Sequence, residues 1–269
     1  MFDLVTLAQS DLASLFDPAS LFDLVPLAAM LIVGTFIQSA SGFAAGLLIM
    51  SILVWFDYPI PVAQTALLVA TIPQNGWGVW SFRDSIRPRE LFWPAVGRIG
   101  FLPIGIFVLS MMQDHLSPAR IKQVVGGLML AITLAIIAFQ VRPRERLHPA
   151  WAWLTFPLSG ILQGLVGMGG PAMALWVQAH DWDTRRSRGF LFAMYLASLF
   201  PAMALIQWRF GSQFGKEAVV AALLSPAFLW ITAVGLRAGS RLGRQRLRRL
   251  TLAMIIGVGL LSLAAPLLD

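Results

Sequence analysis

The sequence predicts an all-α polytopic membrane protein made of two inverted-topology repeats, each with five segments and a broken or short helix pair. Three observations support this: the composition, a succession of ten apolar segments, and a small-residue break that occurs twice. Of 269 residues, 58% are hydrophobic and 12% charged. A soluble domain of this size could not hide so much apolar surface, so the composition favours a membrane protein.

The first twenty residues differ from the rest of the chain. They carry Asp3, Asp11 and Asp17 but no Lys or Arg, so they lack the positive region of a signal peptide. Their leucines recur at roughly helical spacing, which predicts an amphipathic segment over 1–20 that lies on the membrane surface. A frayed tail is the alternative.

Ten apolar segments follow the N-terminus, separated by short polar or basic stretches. They cover about 22–38, 43–56, 61–82, 91–112, 119–140, 150–166, 170–180, 187–208, 217–237 and 250–268. The second and seventh are shorter than the ~20 residues that an upright span needs, and whether they fully span or are re-entrant is left open. We therefore divide the chain into a first repeat over 21–140, a basic linker over 141–149 and a second repeat over 150–269.

Basic residues are distributed unevenly between the two sides of this topology. With the N-terminus outside, 15 Lys and Arg residues fall in predicted cytoplasmic loops and 4 in external ones. The positive-inside rule therefore predicts a bacterial inner-membrane protein with both termini outside. Because the basic residues lie between apolar segments, the net charge of +7 does not indicate nucleic-acid binding.

The two halves of the chain can be superposed in sequence. Gln38 falls on Gln163 with an offset of 125, and Pro73 falls on Pro201 with an offset of 128. Five segments per half is an odd number, so the second half enters from the opposite face. Such inverted repeats are typical of secondary transporters, whereas chance alignment of apolar sequence is the alternative.

The two breaks, at 38–46 and 163–171, follow a long apolar segment and precede a short one. Irregular backbone is tolerated in a bilayer only where it is buried in protein or lines a cavity. The short segments would begin with free N–H groups, at residues 43–45 and 168–170, which attract anions. Close helix packing is the other reading of these small residues. The candidate substrate-binding residues at the breaks are Gln38, Ser39, Ser41, Gly42, Phe43, Ala44, Gln163, Gly167, Met168, Gly169 and Gly170.

Three polar residues elsewhere in the apolar segments complete the candidate substrate site. Gln74 and Asn75 follow a predicted kink at Pro73, where they either face the cavity or cap freed carbonyls. Arg98 is the cation inside a segment, and it either snorkels or bridges helices, or draws anions inward. No Asp or Glu lies at the centre of a segment, and His180 is read as a solvated loop histidine.

These motifs resemble the sulfite exporter TauE/SafE family of membrane permeases. The resemblance spans nearly the whole chain and rests on the glycine-rich turn at 164–171 and its weaker partner at 41–46. Ala44 and Ala45 stand where glycines are common in the family, so backbone access to a ligand is predicted to be altered there. The resemblance implies export or uptake of small anions such as sulfite, sulfoacetate, other sulfonates or organic acids.

We therefore predict an exporter of small sulfur-containing or organic anions that works by alternating access around a midplane site. The alternatives are a permease for another solute, carboxylate or cation-coupled, and a non-transport assembly protein. An enzyme is not expected, because Ser41 has no base at membrane depth to activate it. No cofactor, metal or nucleic-acid partner is predicted. The lack of cysteine excludes disulfides and thiol chemistry. The oligomeric state is left open.

Overall fold

A computed structural model describes residues 18–41, 45–138, 143–144, 147–211 and 216–242, together with six helical positions between 253 and 263. The described part is helical and contains no β-strand, which confirms the all-α prediction. A short 3-10 turn at Arg83–Ser85 joins two of the long helices. The helices are α1 Pro18–Ser41, α2 Ala45–Trp55, α3 Ile60–Phe82, α4 Pro88–His115, α5 Pro118–Ala138, α6 Ala150–Val166, α7 Gly170–Gln178, α8 Thr184–Phe210, α9 Lys216–Leu223 and α10 Ser225–Leu242.

Within the described residues the helices follow the predicted segments closely, with one exception; most of the tenth predicted segment, 250–268, lies outside the described residues. The sequence predicts a single ninth segment over 217–237, but the chain breaks after Leu223 and bends by 60°. Ser225 and Pro226 start the next helix there, and proline is favoured in a first helical turn because that turn's N–H groups have no intrahelical acceptor. The prediction of one unbroken segment at this place is therefore wrong. The predicted surface segment lies outside the described residues up to position 17, and α1 already begins at Pro18.

Among the described helices, three are long and apolar enough to cross a membrane: α4, α5 and α8. The bent pair of α9 and α10 adds a fourth if it counts as one span. Helix α3 is long enough but falls short in mean hydropathy, because it carries Gln64, Gln74 and Asn75. These three side chains are all buried. A helix enclosed by other helices can carry such residues, whereas a lipid-facing one cannot.

Helix α4 shows how one element serves both protein and lipid. Its buried residues recur every three or four positions, including Pro94, Arg98, Leu102 and Leu109, and so form one stripe. The opposite side exposes large apolar side chains such as Trp93, which is 65% exposed. The exposed side is suited to lipid, and the buried stripe carries Arg98 into the protein.

Among the described helices, α4 and α6 make the most extensive contact, and this contact depends on glycine. A Cβ atom added at Gly160 or Gly164 would clash with the carbonyl oxygens of Arg98 and Leu102 on α4. A Cβ at Gly105 would clash with the backbone of α6 in turn. Small residues of this kind let two membrane helices approach to backbone contact. The arrangement fixes Arg98 of α4 against α6.

Other helix pairings complete the bundle. Helix α10 packs on α1, α3 packs on α8, and α4 also packs on α8. Helix α3 contacts both α9 and α10. The short helices α2 and α7 pack on α3 and α8 respectively.

Ion pairs and backbone bonds join loops that the charge count assigns to the same side. Arg186 donates to Glu90 at 2.6 Å, which links the two predicted cytoplasmic loops that precede α4 and α8. The Arg144 backbone in the linker bonds Ala179 and Asp181. Among predicted external residues, Lys122 lies 2.8 Å from Asp57.

Candidate functional site

A cavity lies between the two predicted breaks and the middle of α3, α4 and α8. The space that the centre of a water molecule can occupy inside it is about 60 Å³. Since one water needs roughly 10–15 Å³ by this measure, the space suits a group of a few heavy atoms. Its polar lining consists of Gln38, Thr71, Asn75, Arg98, Gln163, Tyr195 and Ser198. Its apolar lining consists of Leu47, Leu67, Leu68, Met168, Pro171 and Leu199, with Gly46, Gly167 and Gly170 between them.

The second break is a tight left-handed turn at the end of α6. Gly167 has φ +70°, a conformation that glycine adopts without the steric cost of a side chain. Its N–H donates to the Gln163 carbonyl, and the Met168 N–H donates to the Leu162 carbonyl at 3.2 Å. The prediction of a free N–H group at Met168 is therefore wrong, because the turn uses that donor to satisfy the helix end. Gln64 of α3 adds a side-chain bond to the Gly164 carbonyl at 3.4 Å.

The two breaks meet in space. A Cβ atom at Gly46, in the first turn of α2, would lie 2.9 Å from the Gly167 carbonyl oxygen. The sequence predicts that the breaks at 38–46 and 163–171 contribute to one substrate site. In the structure Gly46 of the first break and Gly167 of the second lie next to each other. Gly42, Phe43 and Ala44 lie outside the described residues, and Ser41 is described only as the last residue of α1.

Arg98 is enclosed by the protein. It is 1% exposed and lies roughly 15 Å along α4 from Pro88, at 1.5 Å per residue. Snorkelling to the inner surface, one reading of the sequence, is therefore wrong. The guanidinium instead bridges α4 to α6, α7 and α8, and it lines the cavity.

Neutral groups surround the Arg98 guanidinium. Nε donates to Ser198 at 2.8 Å, and Nη2 donates to the Gln163 side-chain oxygen at 3.1 Å. Nη1 donates to the Ser159 hydroxyl and to the Gly169 carbonyl. Among the described residues, no carboxylate lies within ion-pair distance of it. Since a guanidinium has five N–H donors, Nη2 keeps a second N–H that no hydrogen bond to a described residue uses.

Gln163 is oriented by these contacts. Its side-chain oxygen accepts from Arg98 and from the Gly169 N–H at 3.4 Å, so the Gly169 N–H is not free either, against the prediction. Two donors on the oxygen fix which way the amide points. The amide NH₂ of Gln163 then has no partner within the described part of the chain. Gln163 therefore offers donors to the cavity.

The polar site residues that sequence reasoning missed are Thr71, Tyr195 and Ser198, which line the cavity, and Ser159, which accepts from Arg98. The Arg98 guanidinium carbon lies 5.8 Å from the centre of the Tyr195 ring. Tyr195 and Ser198 are three residues apart on α8 and so share a face. Ser159 lies four residues before Gln163 on α6. The available signal was a polar residue inside an apolar segment, which led to Gln74, Asn75 and Arg98 but not to these residues.

The remaining predicted site residues lie in different places. Asn75 lines the cavity, is 2% exposed, and its side-chain oxygen has no hydrogen-bond partner among the described residues. Ser39 and Gln74 lie outside the lining; Gln74 donates to Ser39 at 2.9 Å, and Ser39 donates to the Thr35 carbonyl. Gly169 also lies outside the lining, where a Cβ would sit 2.7 Å from Arg98 Nη1. Gln38, Gly167, Met168 and Gly170 line the cavity, as do Arg98 and Gln163.

His180 lies outside the cavity, at the end of α7. Its ring centroid is 4.1 Å from that of Trp176 and 4.5 Å from that of Trp182, and Nδ1 lies 2.9 Å from the Trp176 carbonyl oxygen. Burial lowers the pKa of His180 below its usual 6.5, an effect opposed by the Trp176 carbonyl and strengthened by Arg186. The ring packs against two tryptophans but stays partly exposed beyond the end of α7, so the reading of His180 as a loop histidine rather than a proton carrier stays a prediction.

Comparison with known proteins identifies the family of this chain. The family model described as "Sulfite exporter TauE/SafE" matches residues 27–262. The chain belongs to the TauE/SafE family. A curated relative from Cupriavidus necator, named "Probable sulfite/organosulfonate exporter TauE", is 23% identical over 248 residues, which cover 89% of this chain and 93% of the relative. No solved structure matches the chain significantly.

The family assignment and the apolar helices together identify the class of protein. TauE/SafE members are membrane transporters, and helices long enough to cross a bilayer are present here. The chain is therefore a multi-pass membrane protein of a transporter family. The region that matches the family model, residues 27–262, includes both breaks and Arg98.

Proposed function

We propose that this protein transports small sulfur oxyanions or organosulfonates through the cavity between the two breaks. The observation that carries the proposal is Arg98, a buried cation that lines the cavity and has only neutral partners. A buried charge without a partner is costly, so an anion from the cavity is the group that compensates it. The name of the Cupriavidus necator relative, which mentions sulfite and organosulfonate, supports this choice of anion.

The donors around the cavity support an oxyanion ligand. Arg98 Nη2 and the Gln163 amide are donors with hydrogens to spare, and the Tyr195 hydroxyl has no hydrogen-bond partner among the described residues. The positive end of the α7 dipole also faces the cavity, because Gly170 and Pro171 line it. Planar or tetrahedral oxyanions accept bonds from several directions and so match this set.

Transport by alternating access around the cavity is part of the proposal, with 21–140 and 150–269 as inverted repeats. The repeat matches α1 with α6, α3 with α8, and α4 with the bent pair α9 and α10. Under that correspondence the close pairing of α4 with α6 has its counterpart in α10 with α1. The pairing of α4 with α8 likewise corresponds to that of α3 with α9 and α10. A symmetric pairing pattern supports a repeated architecture.

The bacterial inner membrane, with both termini outside, is the proposed location. The count of basic residues supports this orientation, and so do the contacts of Glu90 with Arg186 and of Lys122 with Asp57, each within one predicted side. A membrane potential that is negative inside then favours export of an anion by ~2.3 kcal/mol per charge per 100 mV.

Transport by reconstituted protein tests the proposal. Proteoliposomes loaded with radiolabelled sulfite or methanesulfonate should release the label faster than equally loaded liposomes without protein. The rate of release should depend on an imposed membrane potential. The Arg98→Gln variant should lose this release. The Arg83→Gln variant is the matched control, because Arg83 is exposed and pairs only loosely with Asp84 at 3.9 Å. If wild-type protein releases neither anion, or if both variants behave alike, the proposal is wrong.

A further inference from the structure

The cavity carries one positive charge, and its lining contains no carboxylate and no second cation among the described residues. Arg98 supplies the charge, while Gln38, Thr71, Asn75, Gln163, Tyr195 and Ser198 are neutral. The charge of a bound ligand therefore decides whether the filled site is neutral. A monoanion neutralises the one formal charge, whereas a dianion leaves a second negative charge that meets only neutral donors and the partial positive charge at the start of α7.

We propose that the site selects singly charged anions, such as alkanesulfonates and hydrogen sulfite, over doubly charged ones such as sulfate and sulfoacetate. The proposal rests on the proposed function and narrows its substrate class. An uncompensated buried charge is disfavoured because the low-dielectric interior replaces its hydration poorly. Neutral donors such as the Gln163 amide stabilise the second charge of a dianion only in part.

The apolar part of the lining favours the same ligands. Leu67, Leu68 and Leu199 line the cavity together with the polar groups, so part of the lining has no donor for an oxygen atom. An oxygen of sulfate placed against these side chains would lose its hydrogen bonds to water without replacement. The methyl group of methanesulfonate makes the same contact favourably.

Methanesulfonate and sulfate make a matched pair for the test. Both have four groups around sulfur and nearly the same size, but sulfate has a second negative charge and an oxygen in place of the methyl group. Sulfite at different pH values separates the effect of the charge from that of the methyl group. Radiolabelled methanesulfonate is bound to the purified full-length protein in detergent at constant ionic strength, and unlabelled methanesulfonate, sulfate or sulfite is added as competitor. Competition is preferable to thermal stabilisation, because sulfate stabilises folded proteins without binding a site.

We expect sulfate to compete at least roughly tenfold more weakly than methanesulfonate, which is about 1.4 kcal/mol. Sulfite should compete better at the acidic end of the range in which it changes from monoanion to dianion. Methanesulfonate keeps its charge throughout and controls for pH effects on the protein. Arg98→Gln should lose methanesulfonate binding, and Arg98→Lys should keep the preference for monoanions because it keeps the single charge.

Equal or stronger competition by sulfate would overturn the charge selectivity while leaving anion transport intact. A sulfite potency that rises with its second charge would do the same. If methanesulfonate and sulfite both fail to bind, the proposed function itself fails. The ligand comparison needs only the wild-type protein, so its outcome does not depend on whether the Arg98 variants fold.

Discussion

Two glycines of α4 provide a direct test of how closely this helix packs on α6. Gly100 and Gly105 both lie in the helix interior, and each would gain the same methyl group on substitution by alanine. A Cβ at Gly100 would meet nothing within 4 Å, whereas one at Gly105 would lie 2.7 Å from the Leu165 backbone nitrogen and closer still to the Ile161 carbonyl oxygen. Backbone atoms cannot move aside alone, so α4 and α6 would have to separate.

The two substitutions should change the stability of the protein in opposite directions. Gly100→Ala gains helix propensity and should stabilise the protein by ~0.5–1 kcal/mol. Gly105→Ala gains the same propensity but overpacks the contact at a cost of ~1–3 kcal/mol or more. Gly105 lies seven residues from Arg98 on the same helix, so separation would also move the guanidinium away from Ser159 and Gln163. Anion binding should weaken along with stability.

Thermal unfolding of the purified variants in one detergent measures the difference. Gly100→Ala should match or exceed the wild-type Tm, and Gly105→Ala should fall clearly below it. Methanesulfonate binding, measured below both transitions, should be normal in Gly100→Ala and weaker in Gly105→Ala. If Gly105→Ala is as stable as Gly100→Ala, the inferred backbone contact between α4 and α6 does not exist.

Three other perturbations test the site, its surroundings and the topology. Tyr195→Phe keeps the ring beside Arg98 but removes a hydroxyl donor, so the binding free energy of the anion should weaken by ~0.5–1.5 kcal/mol in a titration while Tm changes little. An unchanged affinity would show that the hydroxyl does not bind the anion. Because the pKa of His180 is lowered in the folded protein, the unfolded state binds more protons below about pH 6.5 and stability falls as pH decreases; His180→Gln should reduce that fall in a Tm series over pH. In the cysteine-free chain, a cysteine at Asp84 should resist a membrane-impermeant thiol reagent in intact cells and one at Ser117 should react; the reverse pattern would invert the topology.

Features set by neighbouring residues were predictable from the sequence. Apolar segments, their interruptions and the basic loops depend on contiguous stretches, so nearly all helices appear where the sequence places them. The bend after Leu223 was missed because apolar residues continue across it, and only Ser225 and Pro226 mark the restart. The use of the Met168 N–H was also missed, since the left-handed turn at Gly167 decides which donors remain free.

By itself the sequence determined that this chain is an all-helical membrane protein with two small-residue breaks, because composition and hydrophobic periodicity act locally. Only the tertiary structure decided what Arg98 does. Its partners Ser159, Gln163 and Ser198 lie 61 to 100 residues away along the chain, on two other helices. Their meeting depends on the close approach of α4 and α6 and on the packing of α8. These contacts turn an isolated arginine into a buried cation that lines the cavity.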